Sequence, residues 1–394
     1  VTTRATDAVA LPTSRWSALV AFAAVGGTTQ LLWLTFAPIT SAAAKHYGVS
    51  ETAIGWLANV FPLGYVVLAV PVGLWLDRYF RAALALGAAL MAAGGLVRLI
   101  GDGYAAVLAG QCLVSAAQPF VLNAITGFAH RYLVTADRAK GIAAASAATF
   151  AGMIAAFALS TILSLHQVLV VDAAVAVATA AWLALALRTP PAEDAAPVAP
   201  VSVRVTWRDP LVRRLCLLVF VPFGTFTALT TWAEALLKPA GVSTDQAGVL
   251  LLVNIICGVV GSAVLPVWAA RRRAEIRVMA AAIAVTVLAC VVLAVVPGFA
   301  VALVVFGAFG FLLLATLPMV LEIVERRTAE PGTAAGLVWL FGQLGALVLT
   351  AVVGAIVHHP APSFVLLAAA TAAAAAALVR VRSALARAST RSPA

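Results

Sequence analysis

The chain has 394 residues, 63% of them hydrophobic and 10% charged, with a formal net charge of +10. Soluble domains carry about 25% charged residues, so this composition, with a mean hydropathy of +1.06, excludes a soluble protein and describes an integral membrane one. The apolar runs have the roughly 20-residue length of membrane helices, not the roughly 10-residue alternation of a membrane barrel.

Gly, Pro and charge clusters separate the apolar runs and predict twelve spans. The first, near residues 17–44, is too long for a cleavable signal peptide and is expected to be retained. Five more follow near 54–76, 82–100, 104–129, 140–164 and 168–188. Residues 189–210 hold Pro190, Pro191, Pro197 and Pro200 with Glu193 and Asp194, the composition of a flexible linker. The second set lies near 211–237, 245–270, 276–296, 298–322, 332–357 and 361–379. The expected organisation is an N-terminal six-helix half (1–188), a cytoplasmic linker (189–210) and a C-terminal six-helix half (211–394). Cys112, Cys216, Cys257 and Cys290 stand singly inside apolar runs and read as small buried hydrophobes.

Orientation follows from Lys and Arg. With the N-terminus inside, all of the basic residues except Lys45, Arg98 and Lys238 fall on the inner side, which places both termini in the cytoplasm. The basic charge is then a topology signal and a contact for anionic lipid heads; it calls for no nucleic acid.

The loop between spans 2 and 3 reads GLWLDRYFR, Gly73 to Arg81. A worn copy, PVWAARRR, follows span 8, with Trp268 standing where Trp75 stands and Ala270 opposite Asp77. GIAAASAATFAG from Gly141 parallels GLVWLFGQLG from Gly336, and Gln118–Pro119 parallels Leu317–Pro318. Such echoes predict two halves related about an axis along the membrane normal, as in repeated transporters. The loop resembles the signature G-x-x-x-D-R-x-G-R of the major facilitator superfamily, with Phe80 in place of the second Gly. In it Gly73 is expected to let helices approach. Asp77 at a helix end is expected to pair with Arg78 or Arg81, or to face a helix N-terminus. Together they are expected to form an inner latch, one-sided because the copy lacks its acid, or else to anchor the helix ends at the interface. Glu322, at the inner end of span 10, is expected to join these gating charges.

Further stretches resemble the feline leukaemia virus subgroup C receptor family, a branch of that superfamily. LLWLTFAPI in span 1 is followed by HYGVSETAIGWLANVFPLGYVVLAVPVGLWLD, and span 4 holds GQCLVSAAQPFVLNAI. Span 10 holds GFLLLATLPMVLE and span 11 EPGTAAGLVWLFGQLGALV. The resemblance implies a facilitative carrier of choline or ethanolamine with an aromatic cage and two glutamines. Matched residue by residue, these are Trp33, Gln118 and Gln343. The family's span 7 tyrosine is Thr227 in this chain, and the neighbouring aromatics Phe226 and Trp232 are the candidates to replace it.

Depth counting at 1.5 Å per residue puts Gln118, Gln343 and Thr227 near the midplane, with Trp33 at or just outside it. Carriers of this kind bind substrate at that depth. An amide there must be hydrogen-bonded or face a wet cavity, so each glutamine reads either as a helix tie or as a pocket residue; Asn123 and Gln30 read as structural. A Trp face attracts quaternary ammonium. Glu234 reads as an entrance acid or a surface partner of Lys238, and Arg98 and Asp172 as interfacial residues near the outer ends of spans 3 and 6. No midplane acid or histidine suggests a proton relay.

The expectation is an all-α membrane protein of twelve transmembrane helices in two pseudo-symmetric six-helix halves. It sits as a monomer in the cytoplasmic membrane and moves a small-molecule substrate, a choline-like cation or amine, without cofactor or metal. The rival readings are efflux of amphipathic drugs or metabolites, for which Phe226, Trp232 and Trp339 would line a broad apolar cavity, and a membrane receptor or sensor. No Ser/His/Asp, Cys/His or HExxH arrangement supports an enzyme.

Overall fold

A computed structural model describes residues 13–189, 203–327 and 331–389, and every regular element among them is helical. In the first half, α1 (Trp16–Leu34) leads through a 3₁₀ turn (Ala37–Ile39) to α2 (Thr40–Tyr47). Pro38 explains the break, because it has no N–H to offer the carbonyl one turn earlier. Gly48, at φ 65°, caps α2, and the Ser50 hydroxyl accepts from the Ala53 N–H to start α3 (Glu51–Val97).

α3 has 47 residues and would be about 70 Å long if straight, more than twice the roughly 30 Å hydrocarbon core. It bends at Tyr79 (φ −134°, ψ 53°), inside the Gly73–Arg81 loop, and so supplies spans 2 and 3. Counted whole, α3 is one of eleven helices among the described residues long and apolar enough to cross a membrane; divided at Tyr79 it brings the bundle to the expected twelve. The worn copy ends differently: Arg273 takes the left-handed conformation (φ 48°) and stops its helix. The half continues with α4 (Tyr104–Leu122), α5 (Ala124–Tyr132), α6 (Arg138–Ile162) and α7 (Leu165–Ala186).

Of the expected linker, residues 190–202 lie outside the described residues. Its last part is not irregular but helical, α8 (Val203–Arg208), and Trp207 stacks on Phe341 at 5.1 Å. Stacking on Phe341 covers one face of the otherwise exposed Trp207 ring and gives this short segment its reason to order. The second half holds α9 (Pro210–Leu237), α10 (Thr244–Arg272), α11 (Glu275–Val295), α12 (Phe299–Leu313), α13 (Thr316–Arg327), α14 (Pro331–Ala355) and α15 (Pro360–Ser389).

The packing repeats between the halves. α1 packs on α6 as α9 packs on α14, α3 on α4 as α10 on α12, and the later part of α3 on α7 as α11 on α15. Small residues permit the closest of these approaches: a Cβ on Gly152 would lie 1.9 Å from the Gly27 carbonyl, and one on Gly345 1.8 Å from that of Phe220. The halves meet crosswise, α3 on α14 and α6 on α10. Polar links between them join Ser41 to Glu234, Thr52 to the Gly354 carbonyl and Glu51 to Lys238. All three lie at one end of the bundle, here called the sealed end. The Gly73–Arg81 loop lies at the other, the loop end.

Candidate functional site

Three helices of the first half converge around one polar face of α4. Gln111 donates to the Leu32 carbonyl (3.0 Å) on α1, and Ser115 to the Val60 carbonyl (2.6 Å) on α3. Gln118 follows on the same face, one turn beyond Ser115. It is 1% exposed, and neither its Oε1 nor its Nε2 has a hydrogen-bond partner. Trp33 stands in the same junction, nearer the sealed end. Its indole N–H donates to the Ala58 carbonyl (3.0 Å), and its ring stacks on Phe61 at 5.8 Å. Because the N–H is satisfied, the remaining chemistry of Trp33 is that of its π face.

The second half supplies α14. Its Thr350 carbonyl accepts from the Trp232 indole N–H (2.9 Å), and its Gly354 carbonyl accepts from Thr52 across the halves (3.0 Å). Gln343 lies two turns below Thr350 on that face, about 10 Å toward the loop end. It is 2% exposed, and its Oε1 has no partner. On α3, Asn59 sits one turn below Gly55 on the side that meets the second half; it too is buried, with Oδ1 unpartnered. Buried polar atoms without partners are rare and costly. Asn59 was missed in the sequence, where its signal was one amide in an apolar run.

The span 7 candidates separate. Thr227 is buried, and its hydroxyl donates to the Phe223 carbonyl one turn back (2.9 Å). Phe226 stacks on Phe309 of α12 at 6.0 Å, so its ring is turned into its own half. Trp232 lies in the seal: a Cβ on Gly55 would fall 1.8 Å from its ring, and one on Gly354 2.6 Å. Asn123 ties α4 to α3, donating to the Ala69 carbonyl and accepting from Tyr65. Gln30 donates to Thr29.

Three groups of charges differ from expectation. Glu234 is no surface acid paired with Lys238. It is 1% exposed; its Oε2 accepts the Ser41 N–H and lies in hydrogen-bond contact with the Ser41 hydroxyl, both at 2.8 Å, while Lys238 pairs with Glu51 at 3.7 Å. Arg98 and Asp172 are not interfacial either; their side chains are wholly buried and paired with each other. Asp172 also accepts from Thr35 (2.6 Å), and Arg98 donates to the Leu32 carbonyl (3.2 Å) and to Gln111 (3.0 Å). Their distance from helix ends suggested the interface. The pairing of helices, which sequence does not show, supplies hydrogen bonds that help make a buried ion pair tolerable, while Arg98 Nε and Asp172 Oδ1 stay without partners.

At the loop end, a Cβ on Gly73 would meet nothing within 4 Å, so Gly73 makes no close approach here. Asp77, Arg78 and Arg81 are exposed, and Asp77 makes no ion pair with either arginine. The Arg78 guanidinium lies over the Tyr79 ring (5.3 Å), and that of Arg131 over the Phe80 ring (4.2 Å). Burial pushes the Arg131 guanidinium below its ordinary pKa, and the Asp77 carboxylate acts in the opposite direction. Glu322 is half-buried on α13; the Arg326 side chain beside it lies outside the described residues.

Comparison with known proteins completes this picture. Residues 18–350 match the model of the Major Facilitator Superfamily. Solute carrier family 49 member A3 of Danio rerio is 29% identical over 365 residues, which are 84% of this chain and 76% of that protein. Choline/ethanolamine transporter FLVCR2 of Homo sapiens is 30% identical over 113 residues, 28% of this chain and 22% of that protein. A bacterial homolog to human lysosomal transporter Spinster, in an inward-facing and occupied conformation, superposes with a TM-score of 0.77 at 14% identity, covering 94% of this chain and 97% of that one. At that identity the likeness shows the fold alone. With the helical bundle and the family match over most of its length, the chain belongs to the major facilitator superfamily and is a multi-pass membrane transporter rather than an enzyme.

Proposed function

We propose that the chain is a facilitative, alternating-access carrier of a small organic cation or amine such as choline. The observation that carries this reading is a pair of buried carboxamides, one in each half: Gln118, with neither atom partnered, and Gln343, with Oε1 unpartnered. Leaving a buried amide unsatisfied costs about 1–3 kcal/mol, which a bound hydroxyl or amine relieves. Asn59, on the same side of α3 as the seal, is a third amide for that ligand. The π face of Trp33 then takes the ammonium, a contact worth up to about 2 kcal/mol when desolvated. The partial match to choline/ethanolamine transporters supports this cargo. Thr227 offers no aromatic surface and Phe226 is engaged with Phe309, so Trp232, on the sealed-end side, is the aromatic left to close over the ligand.

In this reading residues 1–188 and 211–394 are the rocking halves, joined by 189–210. Both termini and the loop end are cytoplasmic, the membrane is the cytoplasmic one, and the carrier works as a monomer. The conformation described is then closed to the outside. Asp77, with Gly73, Arg78, Arg81 and Glu322, forms the opposite latch, which engages when the loop end closes. Transport is driven by the substrate gradient and the membrane potential. Asp172 is neutralised by Arg98, and Glu234 lies two turns beyond Thr227 toward the seal. Uptake of radiolabelled choline into proteoliposomes tests the proposal; absence of both uptake above empty vesicles and displaceable binding overturns it.

A further inference from the structure

The sealed end contains a proton count that does not close with ionised acids. Ser41 Oγ lies 2.6 Å from Glu51 Oε1 and 2.8 Å from Glu234 Oε2. A hydroxyl has one proton to donate and a carboxylate has none. One of the two contacts therefore needs a proton supplied by the carboxyl group. Glu51 faces the Lys238 ammonium at 3.7 Å and is partly exposed. Glu234 is 1% exposed, has no ion-pair partner of its own, and already accepts the Ser41 N–H. Among the described residues Glu51 and Lys238 are the charged groups that act on it; α2 contributes Ser41, and the facing part of α3 contributes Glu51.

We propose that Glu234 is a proton-binding site built by closure of the sealed end. When the halves meet, the Glu234 carboxyl carries a proton and donates it to Ser41 Oγ, while Ser41 donates to Glu51. When they part, Glu234 enters water, loses Ser41 and releases that proton on the side to which this end opens. The atoms balance without a further partner: one O–H bond is broken at Glu234 and the proton passes to solvent. The closed seal thus holds one proton more than the open one. By linkage, acid favours the sealed conformation and alkali the open one, with the ratio changing at most about tenfold per pH unit for a single proton. This inference rests on the alternating-access part of the proposed function and not on the cargo.

The test is a spin-label distance across the sealed end of the full chain in lipid nanodiscs, from pH 5 to 9. Labels replace Ala105 and Ala240, and Cys112 and Cys257 are changed to Ala. The expected result is a short-distance population that gives way to a longer one as pH rises. In Glu234→Gln, whose amide donates to Ser41 as the neutral acid does, the short distance is expected to persist at every pH. In Glu51→Gln, which frees the Ser41 proton for ionised Glu234, the sealed state no longer needs the extra proton, so the short distance is expected to persist to higher pH and the pH dependence to weaken. Two populations whose ratio ignores pH in the unsubstituted protein overturn the proton site and leave alternating access standing. A single population at every pH, in the unsubstituted protein and both variants, overturns both. The unsubstituted arm is decisive even if a variant does not fold.

Discussion

Trp232 and Gly55 meet across the two halves, the indole ring of one lying where any side chain of the other would be. The same ring is held in its own half by Thr350 and Gly354. This contact makes the seal dependent on the absence of a methyl group. Gly55→Ala is expected to cost the sealed state about 1–3 kcal/mol through overpacking, shifting its population about five- to 150-fold. Truncation in Gly55→Ala/Trp232→Ala is expected to recover much of that shift. The spin-label distance across the sealed end reads both; an unchanged distribution in Gly55→Ala removes the contact from the seal.

Gln118→Leu and Gln343→Leu separate a helix tie from a ligand contact. Gln118 has no protein partner and Gln343 has none at Oε1, so little is lost on removal and thermal stability without ligand is expected to hold or rise. Choline binding is expected to fall by about 1–3 kcal/mol for each, roughly five- to 150-fold. Thermal unfolding with and without choline measures both quantities. Loss of ligand-free stability with unchanged binding would identify helix ties instead.

Trp33→Ala is expected to weaken choline binding by up to about 2 kcal/mol, a factor of about 30, and Trp33→Phe by less. Both lose the indole bond to Ala58, so a cation–π role predicts that Phe rescues binding while a positioning role predicts that it does not. Equilibrium binding of labelled choline distinguishes them.

Arg98→Leu or Asp172→Leu alone is expected to destabilise by about 3–5 kcal/mol, because each leaves a buried charge without its partner. The double substitution is expected to be milder than the sum of the two. Thermal unfolding in detergent measures the three; additive losses would mean that the pair does not act as a unit.

These outcomes follow the boundary between what the chain reveals by itself and what it does not. Span length and charge asymmetry are local properties, so the helical bundle was legible. The loop between spans 2 and 3 was legible as a motif, although its helix continues to Tyr79 before bending. Gln118 and Gln343 were visible because an amide in an apolar run is conspicuous whatever it touches. Arg98 and Asp172 read as interfacial from depth alone. Their burial depends on α3 packing against α7 just beyond the end of α1, where Thr35 and the Leu32 carbonyl add hydrogen bonds to the pair. The burial of Glu234 is hidden for the same reason: its partner, Ser41, lies in the other half. Gly55 and Trp232 are ordinary residues until the halves are brought together.

The central claim, carriage of a choline-like cation through a site between two halves, is tested most directly by one measurement. The full chain is reconstituted in proteoliposomes, and initial uptake of radiolabelled choline is followed with the membrane potential clamped at zero and at an inside-negative value. The account predicts saturable uptake above empty vesicles, faster at inside-negative potential, and reduced by Gln118→Leu and Gln343→Leu. Uptake no greater than in empty vesicles, with no displaceable choline binding to the same preparation, would contradict it.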